Sequence, residues 1–222
     1  MSLPDYKARI ILLGNCNVGK TSYTRSFVEP FNYNYMPTVG VEYGSAITRI
    51  NNNTSIKCQI WDTAGNEKFA SIISCYYKNI AGVIIMFDLT NKNSFINCNY
   101  WWNEFHKHKN SDKYISKLLI GNKLDMKSKR QVSKKDAEIF AKKIGFNYME
   151  ISTKKNINKH ESLNVIAKDM YNNMHNIEKG IENMHIIVND NTQITVKNNT
   201  QITVKNNRDW CTQKECPICT IS

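Results

Sequence analysis

The chain has 222 residues and a formal net charge of +11. It is long enough for one packed α/β domain with a tail and too short for two large domains. Seven cysteines at irregular spacings do not make the even framework of a disulfide-stapled module, and no apolar leader stands at the start, so a reducing compartment is expected. The longest apolar run, Ile80 to Phe87, falls well short of the ~20 residues that span a bilayer and reads as a buried strand.

Ala8 to Leu13 is continuously apolar and feeds into Gly14, the pattern of a central parallel strand; Lys20 to Val28 follows as a helix. Glu29 to Gly40, rich in Asn, Tyr and Pro, is too polar and broken for an element. Val41 to Ile50 and Ile56 to Trp61 flank Asn51-Asn52-Asn53-Thr54, whose asparagines tolerate positive φ, so a β-hairpin is predicted. Beyond Gly65 a helix is expected around Ile72 to Lys78. The second half alternates: strand Val83 to Asp88, helix Ser94 to His106, strand Lys117 to Gly121, helix Ser133 to Ile144, strand Tyr148 to Ile151, and helix Asn158 to about Tyr171. Ser133 with Asp136, and Asn158 with Glu161, carry capping spacings. The order predicts an α/β fold: a mostly parallel six-stranded sheet with one antiparallel edge strand and helices on both faces. Ligands of such sheets sit beyond the carboxyl ends of the strands.

Hydrophobic periodicity is lost from Asn172 onward, where the octapeptide Thr192 to Asn199 is followed at once by an identical copy, Thr200 to Asn207. Two copies are too few for a solenoid, and the Asn-rich setting of each Ile-Thr-Val favours disorder over a short strand. The reading is therefore a domain over residues 1–175 and a low-complexity tail over 176–222. The tail's five basic and five acidic residues cancel, so the whole charge excess lies on the globular part, much of it between Lys107 and Lys159. A face of that kind attracts nucleic acid or anionic lipid, but no nucleic-acid motif accompanies it; a solvated lysine surface is the simpler reading, and no nucleic-acid partner is expected.

Four signatures occur in series at strand ends. Gly14-Asn15-Cys16-Asn17-Val18-Gly19-Lys20-Thr21 fits G-x-x-x-x-G-K-[ST], the phosphate loop of P-loop NTPases, in which backbone N–H groups curl around a phosphate at a helix N-terminus. Lys20 then neutralises the outer phosphates and Thr21 ligates magnesium. Thr38, free in a loop, reaches the same ion when a γ-phosphate anchors it, and Asp62, closing a strand, holds that ion from behind. Gly65 of Asp62-Thr63-Ala64-Gly65 has no side chain to keep its N–H from the phosphate, so loss of the phosphate releases both loops. Asn122-Lys123-Leu124-Asp125 reads the base: Asp125 accepts from the adjacent N1–H and N2 donors of guanine, which adenine lacks. Ser152-Thr153-Lys154 is placed to reach the guanine carbonyl with backbone N–H. Ser22, Phe31 and Tyr35 complete the candidate nucleotide residues, with base stacking and core packing both open for Phe31.

Residues 5 to about 175 resemble a small GTPase of the Ras superfamily, and its Rab branch in particular, through Val39-Gly-Val-Glu-Tyr43, Lys57-Cys-Gln-Ile-Trp-Asp62, Lys68-Phe69, Tyr76-Tyr77-Lys78 and Ile85-Met-Phe-Asp-Leu-Thr90. The resemblance implies GTP-to-GDP hydrolysis with Mg2+, a membrane-traffic switch, an exchange factor, an activating protein, effectors, and prenylation machinery with a lipid-extracting chaperone. It places the chain in the cytoplasm, peripheral on the cytosolic face of an intracellular membrane. It also implies an effector-contacting aromatic triad, here Tyr43, Trp61 and Tyr76. Cys219-Thr220-Ile221-Ser222 fits the C-a-a-X prenylation pattern, with Cys216 the candidate for a second lipid; half a zinc site at Cys216-Pro-Ile-Cys219 is the weaker alternative.

Three departures stand out. Asn66 occupies the place of the family's water-orienting glutamine, Cys16 and Asn17 replace commonly small residues, and Thr153 replaces alanine. Asn66, with Gly65 and Lys20, is the candidate catalytic set. Asn66 leaves two readings open: a regulated GTP-hydrolysing switch, or a GTP-bound recruiting platform that hydrolyses slowly or not at all.

Overall fold

Strands β1 (Tyr6–Leu13) and β4 (Gly82–Asp88) lie side by side at the centre of the sheet, and their apolar runs are explained by cover on both faces. Ile11, Leu13, Val83, Ile85 and Phe87 enter one core, while Ile10, Leu12, Ile84 and Met86 enter the other, the alternation that strand geometry imposes. The computed structural model describes residues 4–31, 37–108, 114–184, 193–197 and 201–205. Its six-stranded sheet has the order β2-β3-β1-β4-β5-β6, completed by β2 (Val41–Arg49), β3 (Ser55–Thr63), β5 (Ser116–Asn122) and β6 (Asn147–Glu150). Only β2, at one edge, runs antiparallel, in register from Val41 opposite Thr63 to Arg49 opposite Ser55.

The expected α/β architecture is therefore present. In chain order the helices are α1 (Lys20–Arg25), α2 (Ala70–Ser74), α3 (Lys92–Ile96), α4 (Cys98–Lys107), α5 (Lys134–Ile144) and α6 (Lys159–Met184). Trp101 and Phe105 of α4 with Ala137 and Ala141 of α5 fill the first core. Tyr23 of α1 with Leu163, Ile166, Ala167 and Met170 of α6 fill the second. No helix among the described residues is long and apolar enough to cross a membrane.

Several boundaries differ from those expected. Helix α1 stops at Arg25 rather than Val28, and the helix expected around 72–78 is a short α2 between two tight turns, Glu67–Phe69 and Cys75–Tyr77. The helix expected from Ser94 starts at Lys92, because Asn91 rather than Ser94 caps it by accepting from the N–H groups of Asn93 and Ser94. It then breaks at Asn97, a weak helix former whose ψ of −7° turns the chain before α4. Ser133 caps α5 as its spacing implies, accepting from the Asp136 N–H at 3.0 Å. Asn158 does not cap α6 in that way: at φ 56° it lies outside the extended region a capping residue uses, and its amide donates to the Glu150 carbonyl.

The chain divides into two units, residues 1–171 and 172–222. In the second, Gln193–Lys197 (β7) and Gln201–Lys205 (β8), the two copies of the octapeptide, pair antiparallel with Thr195 opposite Thr203.

Past the end of β5, Arg130 forks onto Glu150 at the end of β6, with N–O distances of 2.8 and 2.6 Å, and the Tyr148 hydroxyl donates to the same carboxylate at 2.9 Å. Burial works to raise the Glu150 carboxyl, but the Arg130 and Tyr148 hydrogen bonds and the Arg130 charge outweigh it and hold it below its ordinary 4.5. A depressed carboxylate stabilises the fold above its unfolded-state value and loses that contribution as pH falls through the folded one. Glu150→Gln is accordingly expected to cost about 1–3 kcal/mol at pH 7. In a pH series of thermal unfolding, the gap between variant and parent should close as pH falls below 4.5.

Candidate functional site

The loop from Gly14 to Gly19 leaves the end of β1 and enters α1, and its shape needs glycine at both ends. Gly14 has φ 137° and a Cβ there would lie 2.1 Å from the Met86 carbonyl oxygen; Gly19 has φ 100° and its Cβ would lie 2.3 Å from Asn122 Nδ2. Asn17 also sits at positive φ, 62°, a conformation asparagine tolerates. Val18 is buried, whereas Cys16 and Asn17 face outward. Lys20 curls back so that Nζ donates to the carbonyls of Gly14 at 2.7 Å and Asn15 at 2.9 Å. Burial brings its pKa down to about 8, against the opposing pull of the Asp62 carboxylate. Trp101 pins the loop from α4, donating from Nε1 to Asn15 Oδ1 at 2.7 Å.

Beside this loop three oxygen-bearing side chains from three segments converge. Thr21, on the first turn of α1, donates to Asp62 Oδ2 at 2.6 Å; Thr38 Oγ1 lies 2.8 Å from Thr21 Oγ1 and 3.4 Å from Asp62 Oδ2. Burial pushes the Asp62 carboxyl up to about 6, against the Thr21 hydrogen bond and the Lys20 charge. Its second oxygen, Oδ1, is buried without a hydrogen-bond partner. Gly65 packs flat on the phosphate-type loop, since a Cβ there would lie 2.3 Å from the Cys16 nitrogen. Next to it, Asn66 caps the turn Glu67–Phe69, its Oδ1 accepting from the Lys68 N–H at 3.0 Å.

At the other end Asn122 is buried and saturated. Its Nδ2 donates to the Val18 carbonyl at 2.9 Å, and its Oδ1 accepts from both the N–H and the hydroxyl of Thr153, each at 3.1 Å. Lys123, at φ 66°, pairs with Asp88 Oδ2 at 2.7 Å. Asp125 Oδ1 accepts from the Ser152 hydroxyl at 2.5 Å, whose oxygen in turn accepts from the Lys155 N–H, and Lys154 is exposed. The four signatures and Ser152-Thr153-Lys154 thus gather at the carboxyl ends of β1, β3, β5 and β6. Ser22 and Phe31 are half-buried, and Phe31 belongs to neither core. Tyr35, Cys216 and Cys219 lie outside the described residues.

The aromatic residues at the β2–β3 edge form one cluster. Tyr43 and Trp61 are cross-strand partners with ring centroids 5.5 Å apart, and Trp61 lies 5.4 Å from Tyr76. Tyr43 is 51% exposed, so the cluster is open to a partner. Sequence reasoning passed over two residues of the site. Asp88 had a signal, a carboxylate at the end of a parallel strand. Trp101, in the middle of a helix, had none.

A model of the Ras family matches residues 9–172. Over 167 residues the chain is 36% identical to Ras-related protein Rab-8A and to Ras-related protein Rab-8B of Bos taurus, covering 75% of this chain and 79% of each relative. It is equally similar to Ras-related protein Rab-8 of Diplobatis ommata, of which 78% is covered.

The Thr153 hydroxyl is one of the two donors that this residue offers to the buried Asn122 amide oxygen, and a hydrogen bond of this kind contributes about 1 kcal/mol. Thr153→Ala is expected to lower the melting temperature by about 2–4 °C in a chain of this size. Thr153→Ser, which keeps the hydroxyl, should restore most of the loss in the same thermal scans.

Proposed function

As a member of the Ras family, in its Rab branch, this chain is a small GTPase; we propose that it is a guanine-nucleotide switch for intracellular membrane traffic, with slow intrinsic hydrolysis. The convergence of Thr21, Thr38 and Asp62 from three segments is the observation that carries the reading, because two of those segments adjoin the aromatic cluster. In this proposal residues 1–175 are the GTPase domain and 176–222 the tail that carries lipid on Cys219 and Cys216.

The residues fit a magnesium ion. Two hydroxyls and a carboxylate are the hard oxygen donors it takes, and the unpaired Asp62 Oδ1 is the kind of buried acceptor that a hydrated cation satisfies. Thr21 and Thr38 would hold it, with Asp62 behind, and when bound it offsets the negative charge of the phosphate oxygens. Lys20 gives the second positive charge; an anion beside its buried ammonium offsets the desolvation that lowers its pKa. Backbone N–H groups of the loop from Asn15 to Gly19, with Thr21 and Ser22 at the helix start, receive the phosphates. The N–H of Gly65 meets the terminal phosphate, and Thr38 is held only while that phosphate is in place, so hydrolysis releases the segments on either side of the aromatic cluster. Effector recruitment then follows the nucleotide, with an exchange factor loading the protein and an activating protein discharging it. The lipidated tail holds it on the cytosolic face of a membrane.

Base selection rests on Asp125, held by Ser152. Asp125→Asn replaces an acceptor with a donor, so affinity should fall for GTP and rise for XTP, whose C2 carries a carbonyl. Equal relative affinity in parent and variant, measured by competition against labelled GDP, would remove Asp125 as the reader of the base.

Asn66 supports slow hydrolysis on two grounds. It is one methylene shorter than glutamine, a displacement of roughly 1 Å that can cost on the order of 10²-fold in rate. Its amide oxygen is also occupied by the Lys68 N–H. Asn66→Gln is expected to accelerate single-turnover GTP hydrolysis; an unchanged intrinsic rate would mean that this residue does not position the water. Stimulation by an activating protein separates the switch from the GTP-bound recruiting platform, which would not respond.

A further inference from the structure

Helix α5 turns Ala137, Phe140, Ala141 and Ile144 to the sheet. Its opposite face is built from Lys135, Ile139, Lys142 and Lys143, spaced at i, i+4, i+7 and i+8 and therefore on one side of the helix. All four are exposed, Ile139 at 58%. Ile139, in the middle of that outward face, leaves more than half of its surface in water. Among the described residues Lys135, Lys142 and Lys143 form no ion pair, and the two acids of the helix are otherwise engaged: Glu138 faces Lys134 at 3.7 Å and Asp136 accepts from the Ser133 hydroxyl at 2.6 Å. The face is thus a cluster of uncompensated ammonium groups on long stems around one isoleucine.

We propose that this face of α5 is a membrane-contact site for bilayers rich in anionic lipid. The ammonium groups meet the phosphate and carboxylate headgroups, and Ile139 enters the boundary between headgroups and acyl chains, the division of labour of interfacial helices. A bilayer satisfies both parts of the face at once, whereas a nucleic-acid backbone would leave Ile139 in water. The location suits such a contact. Helix α5 packs on β6, at the edge of the sheet opposite β2. Four strand spacings, ~19 Å, separate β6 from the β3 strand that carries Trp61, so the aromatic cluster stays uncovered. The five acidic and five basic residues of 176–222 cancel, so a charge-dependent hold on the membrane has to come from the globular part. With lipid on the tail holding the chain at the membrane, this face adds the charge-dependent contact that lipid chains do not supply. The inference rests on the proposed membrane role and not on the nucleotide chemistry.

The test uses the full chain made without lipidation and loaded with GDP, sedimented with phosphatidylcholine vesicles with or without phosphatidylserine. Retention is expected on the anionic vesicles only, falling as salt rises. Each lysine near such a surface contributes about fivefold, so Lys135→Gln, Lys142→Gln and Lys143→Gln together should weaken binding on the order of a hundredfold. Ile139→Ser should cost roughly tenfold and leave a remnant that salt abolishes. Equal retention on both vesicle types, or anionic retention that the triple variant leaves intact, would overturn the proposal. So would absence from vesicles combined with capture of a DNA or RNA duplex. All four residues are on the solvent side, so the variants should fold, and their GDP affinity, measured on the same samples, reports on the switch reading separately.

Discussion

The side-chain amide of Asn122 ties together three loops that come from distant parts of the chain. Its nitrogen donates to Val18 in the loop after β1, and its oxygen accepts twice from Thr153 after β6, while its own backbone closes β5. An amide this deeply buried costs about 1–3 kcal/mol for each group left unpaired, so the three loops hold one another at fixed separation. The same closeness dictates Gly19, since any Cβ there would run into the Asn122 nitrogen. One residue therefore sets both the distance between the Gly14–Gly19 loop and the Asn122–Asp125 segment and the identity of a glycine in the first of them.

The opposite end of the site is built differently. Thr21, Thr38 and Asp62 meet through hydroxyls and one carboxylate oxygen, and Thr38 reaches them from a loop rather than from a strand or helix. Interactions of this kind are easily exchanged, because a hydroxyl can turn from one acceptor to another while a saturated buried amide cannot. The site thus combines a fixed end, where Asn122, Asp125 and Lys123 are each tied to a partner, with an exchangeable end next to the exposed Tyr43, Trp61 and Tyr76. That asymmetry is the physical basis of the proposed nucleotide switch.

Much of this was legible in the linear order of residues. Strands covered on both faces are apolar at nearly every position, so β1, β4 and β5 were read from continuous runs, and the signatures at their ends followed because ligands in such sheets gather there. Helix limits were less legible. The start of α3 depends on which of Asn91 and Ser94 turns its side chain to the free N–H groups, and both are good caps. The break at Asn97 and the short α2 between two turns depend on packing that periodicity does not encode.

The sequence by itself determined the fold class, the sheet with its antiparallel edge, the four signatures and the departures at Cys16, Asn17, Asn66 and Thr153, because each is a matter of residue type at a given spacing. Only the tertiary structure decided what two of those departures do, Thr153 adding a hydroxyl to the Asn122 amide and Asn66 spending its oxygen on a turn, and that Trp101 and Asp88 brace Asn15 and Lys123. It also decided that the face carrying Ile139 and three lysines is turned to solvent, at the sheet edge away from the aromatic cluster. For the long-range contacts the reason is one of distance. A hydrogen bond between residues 31 or 86 positions apart is fixed by where the strands bring the backbone, and that distance appears in no local pattern.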